Sequence, residues 1–407
     1  MKRVLIVADW PRVSHGGVGR VVVETCRRLR LRGYELGIAY HQPSDVVEVE
    51  GPSWQMPETM SGSVASHAEM TTRLTGILES FQPDIVYAHT RRASRHLDLI
   101  LDRAAMFQFV HDQSYVCGGG HRVTRGNVAC HRTHGVSCLV YNYLLGCGGL
   151  NPLNNLVWWK NTQFFLPVKK HSSVRLQVAF KMIRESLLEN GYEADRIDLI
   201  PLFSEPSTRP DRPELGRILV PGRLVREKGV HVLMAAMRLL RGCHWKVCMP
   251  GDGPEAVELK RSALTWQMAD RFEFPGEVSS ERMADEYARC DFVVFPVLRL
   301  EPFGLIGTEA LAYGKPIVAF GGGGVEEWLK PEQTGIRVDL RTPEALAAGI
   351  SRLLKDRPLR DRLEAGAIRE FPRFHPDRFI ESLEVSFERT LWGWQTSQRG
   401  RGRKKEE

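Results

Sequence analysis

Apolar and polar positions along this chain fall into blocks whose period keeps switching. Val4-Leu5-Ile6-Val7-Ala8 is an uninterrupted apolar run, the pattern of a strand covered on both faces of a parallel sheet. Asp9 to His15 reads as a loop and Gly16-Gly17-Val18-Gly19 as a glycine cluster. From Arg20 to Leu31 the period becomes helical, with Val22, Val23, Cys26 and Leu29 on one stripe, and Gly33 stops it. Leu36–Tyr40 is the next strand. The rhythm continues with a helix at Thr71–Phe81, strands at Ile85–Ala88 and Ala105–Val110, a strand and turn within Val168–Phe180, a helix at Lys181–Glu189 and a strand at Ile197–Leu202. Residues 113–157 break it. They are rich in Gly, Cys and His without clear periodicity, and are predicted to be a functional insertion.

Ser204 to Glu214 carries Pro206, Pro210 and Pro213 among polar residues, the composition of a linker. Beyond it the alternation restarts. Strands are predicted at Arg217–Pro221, 245–250, 271–274, 291–296 and 316–320, with helices at 230–241, 281–289, 305–313, 325–329, 343–355 and about 377–392. Repeated strand-helix alternation predicts a parallel sheet with helices on both faces. The expected organisation is an α/β Rossmann-like domain at 1–203 with its insertion at about 113–157, a linker at 204–216, and a second doubly wound domain at 217–374. A helix at 375–393 packs back on the first domain, and a basic disordered tail covers 394–407.

Length agrees, since 407 residues exceed the roughly 250–300 at which single cores stop growing. The net charge is +7, and the tail cations Arg399, Arg401, Arg403, Lys404 and Lys405 less Glu406 and Glu407 carry +3 of it. The remaining +4 does not argue for nucleic acid as a partner. The N-terminal apolar run is too short for a signal peptide and no stretch of about 18 apolar residues is present. A cytoplasmic protein is therefore expected, with its eight cysteines reduced or metal-bound.

Four motifs carry candidate chemistry. Gly222-Arg223-Leu224-Val225-Arg226-Glu227-Lys228-Gly229 follows a strand and opens a helix. Arg223 offers phosphate a planar fork and Lys228 a point charge, beside a helix N-terminus; solvated surface cations are the alternative. Pro250-Gly251-Asp252-Gly253 allows close backbone approach or is simply a turn. Glu301-Pro302-Phe303-Gly304-Leu305-Ile306-Gly307-Thr308-Glu309 places two carboxylates eight residues apart, at a strand's carboxyl end and in the next helix. Both can face the crevice where open α/β sheets bind ligands and accept hydrogen bonds from sugar hydroxyls. Gly321-Gly322-Gly323-Gly324-Val325-Glu326-Glu327 is again strand, glycine loop, helix, whose amides can reach phosphate or sugar.

In this order and spacing the motifs resemble glycosyltransferase family 4, a retaining family of the GT-B fold with two Rossmann-like domains and an interdomain cleft. The resemblance covers nearly the whole chain and is most specific at 217–335. It implies a nucleotide-sugar donor, UDP first and GDP second, whose diphosphate Arg223 and Lys228 hold. Glu309 takes the ribose, Glu301 the transferred sugar, and Glu327 lies near that sugar. Gly251, Phe303, Gly304, Leu305, Gly323 and Gly324 complete the donor site. In the first half Gly16, Gly17 and Gly19 resemble the family's first glycine loop, and His111, before Asp112 at a strand's end, its active-site histidine. No Asp-x-Asp pair occurs, which agrees with Arg223, Lys228 and helix dipoles neutralising the diphosphate, so no cofactor is required for transfer. The expected acceptor is a saccharide or a lipid-linked saccharide in cell-surface polysaccharide or glycolipid synthesis. An epimerase of the same fold and a non-catalytic nucleotide-sugar-binding protein are the rival readings.

Cys117, Cys130, Cys138 and Cys147 fall within 31 residues of the insertion. They are candidate ligands of a structural zinc or partly buried reduced thiols. A subset of family 4 resembles this chain in having such an insertion after His-Asp. Downstream, Trp158, Trp159, Phe164 and Phe165 alternate with Lys160, Lys169 and Lys170, which suits a core or a peripheral contact with the inner membrane face.

Overall fold

The computed structural model describes residues 2–9, 16–41, 50–56, 64–124, 129–147, 151–163, 166–207, 209 and 212–406. It divides into two compact units, Met1–Ile200 with Phe379–Glu407, and Pro201–Arg378.

The first unit runs β1 (Arg3–Ala8), α1 (Gly16–Leu31), β2 (Glu35–Tyr40), β3 (Ser53–Gln55), α2 (Val64–Phe81), β4 (Ile85–Ala88), α3 (Leu97–Leu101), β5 (Ala105–Val110), α4 (Cys138–Leu144), α5 (Pro152–Gln163), α6 (Leu166–Lys170), β6 (Arg175–Val178), α7 (Lys181–Glu189) and β7 (Ile197–Leu199). Its sheet has the order β3-β2-β1-β4-β5-β6-β7, with every pairing parallel. The continuous apolar runs occupy its centre, where Val4, Leu5 and Ile6 are fully buried. Order reverses between β1 and β4, and strand ends diverge there to leave a crevice.

The second unit runs β8 (Arg217–Leu219), α8 (Val230–Leu239), β9 (Lys246–Pro250), α9 (Ala256–Thr265), β10 (Phe272–Gly276), α10 (Ser280–Arg289), β11 (Phe292–Phe295), α11 (Leu305–Ala312), β12 (Ile317–Phe320), α12 (Val325–Trp328), β13 (Gly335–Val338), α13 (Pro343–Lys355) and α14 (Arg357–Glu370). Its sheet order is β10-β9-β8-β11-β12-β13, also parallel, with the reversal between β8 and β11. Side chains cap the later helices. Ser279 accepts from the Arg282 amide, Thr342 from Ala345 and Asp356 from Leu359.

The final helix, α15 (Pro376–Glu406), returns to the first unit. Its Phe379, Ile380, Leu383 and Phe387 are buried. Phe387 meets the rings of Tyr34, Tyr87 and Phe107 edge-on, and Trp394 Nε1 donates to the Leu101 carbonyl at 2.6 Å.

Several expectations change. The stretch expected as a disordered tail continues α15 to Glu406. The expected linker is bonded into the second unit: Ser204 Oγ lies 2.7 Å from Thr308 Oγ1, and the Arg212 and Glu214 amides donate to the Ala288 and Arg289 carbonyls. Pro213 lies between these two donors, against the end of α10. The glycine cluster is the first turn of α1, and the insertion contains α4 and α5. The loop expected before Gly16 falls at residues 10–15, outside the described residues, as do Pro210, Phe164 and Phe165. Among the described residues, no helix is long and apolar enough to cross a membrane.

Candidate functional site

Four loops of the second unit leave the carboxyl ends of β8, β9, β11 and β12, around the reversal point. After β8, Gly222 and the exposed Arg223 lead into a short helical turn at Arg226–Lys228. Gly229 ends that turn at φ 70°, and a Cβ there would sit 1.9 Å from the Pro296 carbonyl oxygen. Only glycine lets the loop lie this close to the end of β11. The consequence is an ion pair across the reversal: Lys228 Nζ donates to Glu301 Oε2 at 2.8 Å, both partly buried. Among the described residues Arg223 makes no ion pair.

The β9 loop is drawn in by the same means. A Cβ on Gly251 would meet the Gly222 carbonyl oxygen at 2.1 Å, and the Gly222 and Leu224 amides donate to Pro250 and Asp252. The β12 glycine loop closes on the β11 loop, where the Gly324 amide donates to the Glu301 carbonyl at 2.8 Å. Gly323 therefore lies beside Glu301, and Glu326 Oε1 accepts from the Gly322 amide at 2.9 Å.

Gly304, at φ 79°, precedes α11, whose first residue is the partly buried Leu305. Phe303 is buried against Phe374, with its carbonyl taken by Trp328 Nε1 at 2.7 Å. Its side chain thus builds the loop rather than facing a ligand. Glu309 Oε2 accepts from the Tyr287 hydroxyl at 2.8 Å, which fixes its carboxylate on α11. Glu327 is buried on α12.

The first unit holds a separate constellation at its own reversal point. Gly16, Gly17 and Gly19 open α1 there. His111 follows β5 and His89 follows β4, and the two rings join through His89 Nδ1 and His111 Nε2 at 3.2 Å. Burial lowers the His111 pKa to about 4 against the upward pull of Asp112 and Asp9. Burial also drives His89 well below the ordinary value, and His111 adds to it. Both rings are neutral at pH 7.

Among the described residues, Nε2 of His89 is buried without a hydrogen-bond partner. A bare lone pair there is more readily tolerated than an orphaned N–H. We therefore assign the shared proton to His89 Nδ1, which donates to His111 Nε2, leaving His111 its N–H on Nδ1. Sequence reasoning missed His89. Its signal was there, a histidine one residue past the neighbouring strand. Asp9 accepts from the Thr90 hydroxyl at 3.0 Å, and Asp112 caps the turn after it.

The four insertion cysteines are near enough to one another that Cys117, Cys130 and Cys138 act electrostatically on the Cys147 thiol. Cys138 opens α4, and Cys147 follows the end of that helix. Cys147 Sγ donates to Asn142 Oδ1 at 3.2 Å. Among the described residues, no three His, Cys, Asp or Glu side chains are placed to hold a metal ion. Burial raises the Cys138 and Cys147 thiols, and Cys117 and Cys130 add to the rise.

Residues 207–370, nearly all of the second unit, match the family model for glycosyl transferases group 1. The chain is a glycosyltransferase. An uncharacterised glycosyltransferase of Methanocaldococcus jannaschii is 34% identical over 140 residues, which is 34% of this glycosyltransferase and only 36% of that relative. Glycogen synthase of Mycobacterium tuberculosis is 25% identical over 385 residues, covering 87% of this chain and 86% of its own. HepE of Anabaena, solved with UDP, superposes with a TM-score of 0.70 at 17% identity, covering 95% of this chain and all of that one. The two parallel sheets and this likeness make the fold GT-B.

Proposed function

We propose that the chain is a retaining glycosyltransferase. In this reading it moves a sugar from a nucleoside diphosphate, UDP before GDP, to a hydroxyl of a saccharide or lipid-linked saccharide in cell-surface polysaccharide or glycolipid synthesis. The Lys228–Glu301 pair at the β8/β11 reversal carries it. This pair sets a cation and a carboxylate side by side where phosphate and sugar of one donor meet. When a diphosphate enters, Lys228 exchanges its carboxylate for phosphate oxygens and frees Glu301 to accept from sugar hydroxyls. Arg223, exposed in the same loop, adds a bidentate fork. Glu309, held by Tyr287, is assigned to the ribose diol.

The step is same-face displacement. The acceptor oxygen bonds to the anomeric carbon as the bond to the diphosphate breaks, its electron pair leaves with the phosphate, and the acceptor proton passes to that phosphate. Such a transition state gains most from fixed positive charge on the leaving group. His111, neutral and carrying its N–H on Nδ1, suits hydrogen bonding to the sugar or acceptor rather than proton abstraction. The UDP bound in HepE supports a uridine donor.

The test is nucleoside diphosphate release from a donor panel with and without acceptors. Release that depends on acceptor, and falls about a hundredfold or more in kcat/KM in Arg223→Ala and Lys228→Ala, is expected. Near-normal turnover in both variants removes the clamp, and epimerised donor formed without acceptor replaces transfer with epimerisation.

A further inference from the structure

Helices of globular proteins turn apolar stripes inward. In α5 the arrangement is reversed. Leu153, Leu156, Val157 and Lys160 recur at helical spacing and all four are exposed, Leu153 to 70%, while Asn155 and Thr162 on the opposite side are buried. Its neighbour α4, packed against it, does the same with Val140, Tyr143 and Leu144, the last 72% exposed. Two helices in contact thus each expose an apolar stripe to solvent, and clustered exposed apolar side chains mark docking surfaces.

Charge says what docks. From Gln113 to Arg184, 72 residues that include both helices, the chain contains no Asp or Glu and nine Lys or Arg. Arg122 and Arg175 are neutralised by Glu189 and Asp198 from beyond the stretch. Arg132, beside α4 and stacked on Tyr141, Lys160 on α5 and Lys170 after it remain exposed. A second copy of the same face would bring like charges together, which opposes association. An anionic lipid surface satisfies both features at once, as it accepts apolar side chains at the headgroup boundary and attracts the cations around them.

We propose that the outward faces of α4 and α5 dock this glycosyltransferase on an anionic lipid bilayer. The docking is independent of the donor-site reading, because none of these residues belongs to that site. It is tested by co-sedimentation of the full chain with vesicles of phosphatidylglycerol and phosphatidylcholine, against phosphatidylcholine alone. Binding to the mixed vesicles that weakens with salt, and little binding to the neutral ones, is expected. Lys160→Gln with Lys170→Gln should weaken partition about fivefold for each lysine. Leu153→Asp with Val157→Asp should weaken it by about tenfold or more, whereas Val257→Asp with Leu264→Asp, equally exposed on α9, should leave it unchanged. Melting curves show that each variant is folded; if the aspartates disturb the fold, the lysine pair decides. Equal binding to both vesicle types, no binding to either, or unaltered binding in the α5 variants overturns the proposal. So does a concentration-dependent dimer that the α5 variants abolish.

Discussion

His111 and His89 show how one buried hydrogen bond defines two side chains. With the shared proton on His89, the residue acts as a positioning group that fixes the ring orientation and tautomer of His111. His89→Phe keeps the shape among Tyr87, Phe109 and His111 but removes the donor, whereas His89→Asn places an N–H near the old Nδ1. The phenylalanine should lower kcat by about tenfold with KM little changed, and the asparagine should restore much of it. Nitrogen-15 chemical shifts of His111 report the tautomer directly; unchanged shifts in His89→Phe would remove the positioning role. The pH consequence follows from the depressed His111 pKa. A histidine at about 4 in the fold and near 6.5 unfolded binds its proton more readily when unfolded. The stability it supports is whole above pH 6.5 and declines as pH falls toward 4. Urea midpoints at pH 7 and pH 5 should differ in wild type, and by less in His111→Gln. The candidate donor residues were legible because glycines and charges cluster in short motifs. The histidine pair was not, since its partners lie 22 residues apart and meet only through adjacent strands.

Among elements, the β/α alternation was readable for most of the strands and helices with an apolar buried face, although α9, β13 and α14 were not anticipated. It failed at α4 and α5, whose apolar stripes face outward and whose composition looks irregular, and at α1, where glycines with poor helical propensity form the first turn. It failed too in the tail, whose cations suggested disorder although α15 continues through them. The loop between β8 and α8 carries the most constrained glycine. Gly229→Ala forces a left-handed backbone on alanine and drives its methyl into the Pro296 carbonyl. A loss of about 1–3 kcal/mol is expected in urea unfolding, together with weaker donor binding by thermal shift, because Lys228 is displaced from Glu301. Donor affinity equal to wild type would show that the turn does not set the lysine.

On the scale of the molecule, the two units differ in how the chain completes them. The second is one continuous stretch with its own core, from Ile218 on β8 to Leu363 on α14. The first is built from two stretches, and Phe387 of the second fills its ring cluster. Phe387→Ala should therefore cost about 3–5 kcal/mol in the first unit. Pro201–Arg378 made alone should melt cooperatively by circular dichroism, and Met1–Ile200 alone should not. A cooperative melt of the latter would show that α15 is dispensable. This discontinuity also sets the order of events at the ribosome. Domains usually mature from the amino end as they emerge, but here the first unit must wait, incomplete, until α15 has been translated. The second unit is finished first, and truncation within α15 leaves it folded but attached to an unfinished neighbour.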